Sequence, residues 1–210
     1  MNDFSQPATR ERLVLKAFKL FHRQRYGATG IAQILREADA NSGSLYYYFP
    51  TKEDLLVAIL EWCKENLSPE IIQPVFDRVS DPIERIFGVL DGYRQMLVMT
   101  SCSAGCPMGN FTLELADNYP RIRVLIAENF TGWAKAIERC LDDVGDRFPL
   151  GVDRARLAQF VLTTMEGGVM LAWAYKSLEP FDSAVTQLRH YFDTLLRAGV
   201  DWSTPPGQTR

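Results

Sequence analysis

Two short stretches hold most of the residues able to do chemistry. In "SCSAGCPMG", residues 101–109, Cys106 stands directly before a proline that can open a helix, and Cys102 lies four residues upstream. A thiol at a helix N-terminus feels the positive end of the dipole, which favours the thiolate and raises reactivity. Cys102 is spaced to resolve an oxidised Cys106. The second stretch is "NSGSLYYYFPTKEDLL", residues 41–56, in which small polar residues lead into three consecutive tyrosines and then Lys52. Consecutive helical residues point about 100° apart, so these three rings cannot share one core. Leu45, Tyr46 and Phe49 are expected to pack inward. Tyr47 and Tyr48 are then left to meet a polar surface such as a phosphate backbone. Asn41, Ser42, Gly43 and Ser44 are small enough for the backbone to approach a partner closely.

Chemistry of other kinds finds little support. The only imidazoles are His22 and His190, and neither falls in a Ser/His/Asp or Cys/His grouping. No Gly-x-Ser-x-Gly elbow, phosphate loop or dinucleotide fingerprint occurs. Cys102 and Cys106 without a nearby histidine make a poor zinc site. The expectation is a chain that is not an enzyme and carries no cofactor and no metal.

Helices are needed to position these groups, and the pattern supplies them throughout. Leu13, Ala17, Leu20 and Phe21 recur at helical spacing, predicting an amphipathic helix over 9–25 that Gly27 ends. Thr29 is a candidate cap for a short second helix with the stripe Ile31, Ile34, Leu35 and Ala38. Asp39-Ala40 makes a tight turn. A third helix then runs from Asn41 or Ser42 to Phe49. Thr51 with Asp54 fits a capping box opening a fourth helix, read as a connector over 51–67. Asp81-Pro82-Ile83-Glu84 combines a cap, a proline in the first turn and an acid that complements the dipole. Further starts fall at Cys106-Pro107 and Tyr119-Pro120, with long helices over 120–143, 153–178 and 181–198. No alternating strand pattern and no repeat is present. The expected fold is all-α, about nine helices, with a domain over 1–52, a second over 53–200 and a disordered tail over 201–210.

Charge separates the same two parts. Among the 210 residues the net charge is −3, but residues 1–52 carry eight Lys/Arg against four acids, leaving +4 there and −7 in the remainder. A basic head on an acidic body suggests that one end meets a polyanion.

Two short helices joined by a tight turn behind a longer first helix make a helix-turn-helix. Residues 10–60, with Thr29, Ile31, Ile34, Ala38, Gly43, Leu45, Tyr46, Phe49, Lys52, Glu53 and Leu55, resemble the DNA-binding domain of the TetR family of bacterial transcriptional repressors. The resemblance implies backbone contacts from Thr29, Tyr47, Tyr48 and Lys52. It also implies base reading by the Asn41–Ser44 end, and a palindromic double-stranded operator as partner. The chain departs from the family's habit at Ser42, where a lysine is common, at Tyr48, where a histidine is common, and at Asp39, where a turn glycine is usual. Gln33 and Arg36, on one face of the second helix, are candidates to make up the missing charge.

For the acidic body the resemblance implies an inducer-binding and dimerisation domain. The last two long helices are rich in apolar residues, and Gly167-Gly168 in mid-helix is explained by close approach of another backbone. A homodimer through these helices would present two reading heads. Two sensor readings stand side by side. A small hydrophobic inducer would use a pocket lined by residues such as Phe111, Trp133, Met165 and Trp173. An electrophilic one would modify Cys106, with Lys176 a possible cationic neighbour; the Gly-Cys-…-Glu-Leu-Ala segment resembles a branch of the family with electrophile-responsive members. No membrane partner is expected, and the expected location is the cytoplasm. A helical protein–protein adaptor that lacks DNA binding is the alternative.

Overall fold

The computed structural model describes residues 8–203. Within them the chain forms α1 (Thr9–Gln24), α2 (Ile31–Ala38), α3 (Ser42–Tyr48), α4 (Lys52–Phe76), α5 (Pro82–Met99), α6 (Pro107–Leu115), α7 (Pro120–Asp143), α8 (Arg154–Tyr175) and α9 (Glu179–Ser203), with a 3-10 turn at Gly145–Arg147 and no strand. Contacts divide it into two compact units. One comprises residues through Leu67 together with Pro107–Phe130, the other Ser68–Cys106 together with Thr131 onward. This division differs from a simple head and body, because α6 and the start of α7 join the N-terminal helices.

The helix starts follow from local chemistry. Asp81 accepts from the amides of Ile83 and Glu84 at 2.9 and 3.0 Å, with Pro82 in the first turn. Asn41 caps α3 by accepting from the Ser44 amide at 2.7 Å. Thr51 and Asp54 form the reciprocal box: the Asp54 amide donates to Thr51 Oγ1 at 3.1 Å, and the Thr51 hydroxyl donates to Asp54 Oδ2 at 2.7 Å. That hydroxyl, with Arg121, holds the Asp54 carboxyl below its ordinary value.

Three expectations need correction. Gly30, not Thr29, occupies the cap position of α2. The left-handed residue closing α1 is Arg25 (φ 78°), not Gly27. The fourth helix continues to Phe76, because Ile72, Val75 and Phe76 resume the apolar spacing beyond Pro69. At the other end α9 runs to Ser203, and positions 204–210 of the expected tail lie outside the described residues.

In the first unit α1 packs on α2 and α3, and Leu13, Ala17 and Phe21 of α1, Ile34 of α2, Leu45 of α3 and Leu55, Leu56 and Ile59 of α4 are all buried. Asp39 takes a left-handed φ of 47° at the end of α2, a conformation that aspartate tolerates better than most residues. Arg12 donates to the carbonyls of Ala38 and Asp39 at 3.2 and 3.3 Å, satisfying the last turn of α2.

In the second unit, α8 packs most extensively on α9 and also on α5. Phe192 meets Phe87 and Phe148 edge-on, with centroids 5.5 and 6.0 Å apart. Among the described residues α8 is the one helix long and apolar enough to cross a membrane; its buried side is spent on its neighbours in the unit. Gly168 is explained inside the chain: a Cβ there would lie 3.0 Å from the Phe181 ring and 3.4 Å from its Cα. Gly167 has nothing within 4 Å.

Candidate nucleic-acid interface and sensor cluster

α3 is seven residues long and Leu45 is its one buried member, at 0% exposure; Phe49, which closes the helix, is also buried, at 2%. Tyr46, expected inside, is 52% exposed, because it lies about 100° around the helix from Leu45. Tyr47 is 81% exposed and Tyr48 40%, their rings edge-on with centroids 5.0 Å apart. Asn41, Ser42 and Gly43 are exposed and Ser44 is half-buried, so the helix start is open to a partner. All three tyrosines and the polar N-terminal end of α3 thus form one solvent-facing element.

The other two expected backbone contacts, Thr29 and Lys52, bond within the chain. Thr29 is buried, its hydroxyl donating to the Arg25 carbonyl at 2.7 Å and accepting from Gln24 Nε2 at 3.2 Å. Lys52 Nζ donates to the Tyr26 carbonyl at 2.5 Å and stands 4.1 Å from the Tyr26 ring centroid. Burial lowers the Lys52 ammonium from its ordinary value, and the charge of Glu114 opposes that shift. Tyr26 in turn is pushed up to about 12, first by burial and then by Tyr119. Gln33 is paired with Gln24 through bonds of 2.7 and 3.1 Å, whereas Arg36 is exposed.

In the second unit Cys106 is buried between two polar groups that sequence reading missed. The Tyr93 hydroxyl and the Glu166 carboxyl each hydrogen-bond with its side chain. Burial, then the charges of Cys106 and Glu166, hold the Tyr93 hydroxyl well above its ordinary value. Burial also raises the Glu166 carboxyl, with the Cys106 bond opposing. Glu166 Oε1 is buried without a hydrogen-bond partner. A carboxylate beside a thiol works against forming thiolate, the opposite of the helix-terminus effect. Cys102 is buried at φ 51°, and its carbonyl accepts from Lys176 Nζ at 3.2 Å. All four cysteines are free thiols.

The aromatic residues expected to line a pocket are not gathered within one unit. Phe111 is buried in the first unit, while Trp133 and Met165 are buried in the second, where Trp173 is half-buried with Lys176 Nζ 6.0 Å from its ring centroid. Trp133 meets Tyr93 edge-on at 5.8 Å. Beside it lies a cavity of about 20 Å³ lined by Phe76, Val89, Ile137, Cys140 and Val161, room for little more than a water. An apolar side of the α8–α9 pair stays uncovered: Phe160, Met170, Leu171, Tyr175 and Tyr191 are 46–70% exposed.

Comparison with known proteins agrees with this layout. Residues 13–59 match the family of bacterial regulatory proteins named tetR, and residues 82–187 match the C-terminal domain of LmrA/YxaF-like transcriptional regulators. An uncharacterized HTH-type transcriptional regulator of Mycobacterium tuberculosis is 31% identical over 186 residues, covering 86% of this chain and 92% of the relative. The HTH-type transcriptional repressor DhaR of Mycobacterium sp. (strain GP1) is 25% identical over 189 residues, covering 89% and 92%. The crystal structure of a TetR transcriptional regulator from Chloroflexus aurantiacus superposes with a TM-score of 0.75 at 28% identity, covering 88% of this chain and 94% of that one.

Proposed function

The chain belongs to the TetR family of bacterial transcriptional regulators, and on that premise we propose that it is a cytoplasmic repressor that binds a palindromic operator as a homodimer. The observation that carries this reading is the exposure of α3: three tyrosines and a polar, capped helix start on a helix whose one buried member is Leu45. Tyr47 and Tyr48 hydroxyls serve phosphate oxygens, and the Asn41–Ser44 end reads base edges. Thr29 and Lys52 act from inside, fixing the loop and the start of α4. Dimerisation uses the apolar side of α8 and α9, which is unusual on a surface left to water.

The inducer is a small organic molecule received in the second unit. Its polar anchor is the Tyr93–Cys106–Glu166 group, whose unsatisfied Glu166 Oε1 favours a hydrogen-bond donor. The ligand selects a more open conformer of this group, and it releases DNA by binding that conformer more tightly. Chemical modification of Cys106 is the second reading, favoured by the position of its thiol directly before the first residue of α6. Selection of bound fragments from genomic DNA tests the first claim. A shared palindrome among the retained fragments is expected; retention of none, at any salt, would favour a protein–protein adaptor. Cys106→Ser divides the two inducer readings, since a mutant still released by every electrophile tested removes the thiol route.

A further inference from the structure

The loop between α1 and α2 is held by a residue far from it in sequence. Arg25 adopts φ 78° and ψ 153°, a region that strains a non-glycine residue and persists only where surrounding contacts impose it. Those contacts converge on the next two residues. Glu114 of α6 accepts from the Tyr26 amide through Oε2 at 3.0 Å and from the Gly27 amide through Oε1 at 2.7 Å, across 88 and 87 positions of chain. Gly27 is what admits it, since a Cβ there would stand 3.2 Å from Glu114 Oε1. On its other side the Tyr26 carbonyl receives Lys52 Nζ, and the Tyr26 ring meets Phe21 and Tyr119 edge-on at 5.1 and 5.8 Å.

We propose that Glu114 is the positioning residue of the helix-turn-helix: its carboxylate clamps two consecutive amides of the α1–α2 loop and so sets the angle at which α2 and α3 leave α1. A charged acceptor taking two backbone donors is the stronger kind of hydrogen bond, and here it joins α6 to the two residues that follow the strained Arg25. Because α2 starts at Ile31, just beyond this loop, a shift of α6 reaches α2 through the loop and α3 through the turn that follows α2. α6 begins with the residue that follows Cys106 in the chain, which gives the clamp a place in signalling as well as in reading. The proposal rests on the operator-binding reading for its consequence but not for its geometry.

The test uses the full-length protein and the substitutions Glu114→Ala and Glu114→Gln, with Leu113→Ala, at a 73% exposed neighbour, as control. Amide exchange over residues 25–33 is read in the free protein, and affinity is read for a genome-selected duplex and for a scrambled one. In Glu114→Ala, exchange at residues 26 and 27 is expected to rise at least about 10-fold and the selected-to-scrambled affinity ratio to fall at least about 10-fold. Exchange over α8 and α9 is expected to stay unchanged. Glu114→Gln, with one acceptor for two amides, should fall between, and Leu113→Ala should match the parent. Unchanged exchange at residues 26 and 27 in Glu114→Ala overturns the clamp, and faster exchange with an unchanged affinity ratio overturns its role in reading. If the parent protein retains no duplex at all, the operator reading fails while the exchange result still decides the clamp.

Discussion

Tyrosine serves opposite ends in the two units. On α3, Tyr47 is 81% exposed with only the edge of Tyr48 against it. In the second unit Tyr93 is buried, hydrogen-bonds with the Cys106 side chain and meets Trp133 edge-on. The first ring contributes little to folding, and its value lies in what it touches outside the molecule. The second is part of the fold, so any signal that moves it must do so against packing. A reader can vary its surface freely, whereas a sensor can respond only through a change in its own core.

Substitutions should divide along that line. Phe192→Ala, deep in the second unit, should cost about 3–5 kcal/mol of stability in denaturant unfolding, as large-to-small changes at fully buried aromatics do. A loss under about 1 kcal/mol would mean that the body is looser than its packing indicates. Tyr47→Ala should leave unfolding within about 0.5 kcal/mol of the parent yet weaken operator binding about 10-fold or more, near 1.4 kcal/mol, read by fluorescence anisotropy at fixed salt. Asn41→Ala removes the α3 cap and should cost about 1 kcal/mol in stability. That substitution sharpens the contrast, because it touches the reader's fold and surface together.

The sensor cluster gives a pH signature. Burial raises the Glu166 carboxyl above its ordinary value of 4.5, so the folded protein retains a proton that the unfolded chain has released. Stability from this group is complete below that ordinary value and falls as pH rises toward the raised one. Glu166→Gln lacks the effect, so its Tm relative to the parent should climb between pH 4.5 and the raised value. A constant difference across the pH series would place Glu166 outside the buried cluster. The smallest effect is expected at Asp39→Gly. Glycine relieves the left-handed φ of 47°, changing stability by under about 1 kcal/mol in either direction, since it also loosens the unfolded chain.

Legibility in the sequence tracked how local each interaction is. Asn41, Asp81, and Thr51 with Asp54 cap their helices as their spacing indicates, because donor and acceptor lie within three residues of each other. The N-terminal helix-turn-helix was legible for the same reason, and its family with it. Tyr46 misled because so short a helix turns one residue, Leu45, to the core, and the next inward place falls to Phe49 just beyond its end. Thr29 carried the right residue type for a cap but spends its hydroxyl on the preceding loop. Glu114, Glu166 and the inward turn of Lys52 had no local signal. Their partners stand 26 to 88 positions away or on another helix, where only the fold brings them together.

The most direct test of the central claim is the salt dependence of binding to a genome-selected duplex. A dimer that clamps phosphates releases counterions, so log K should fall linearly and steeply with log salt, with a slope near −0.9 for each phosphate neutralised. A steep slope, the same in Tyr47→Ala because a neutral hydroxyl displaces no counterion, is the predicted result. No binding in dilute buffer, or an affinity indifferent to salt, would contradict a reader built on α3.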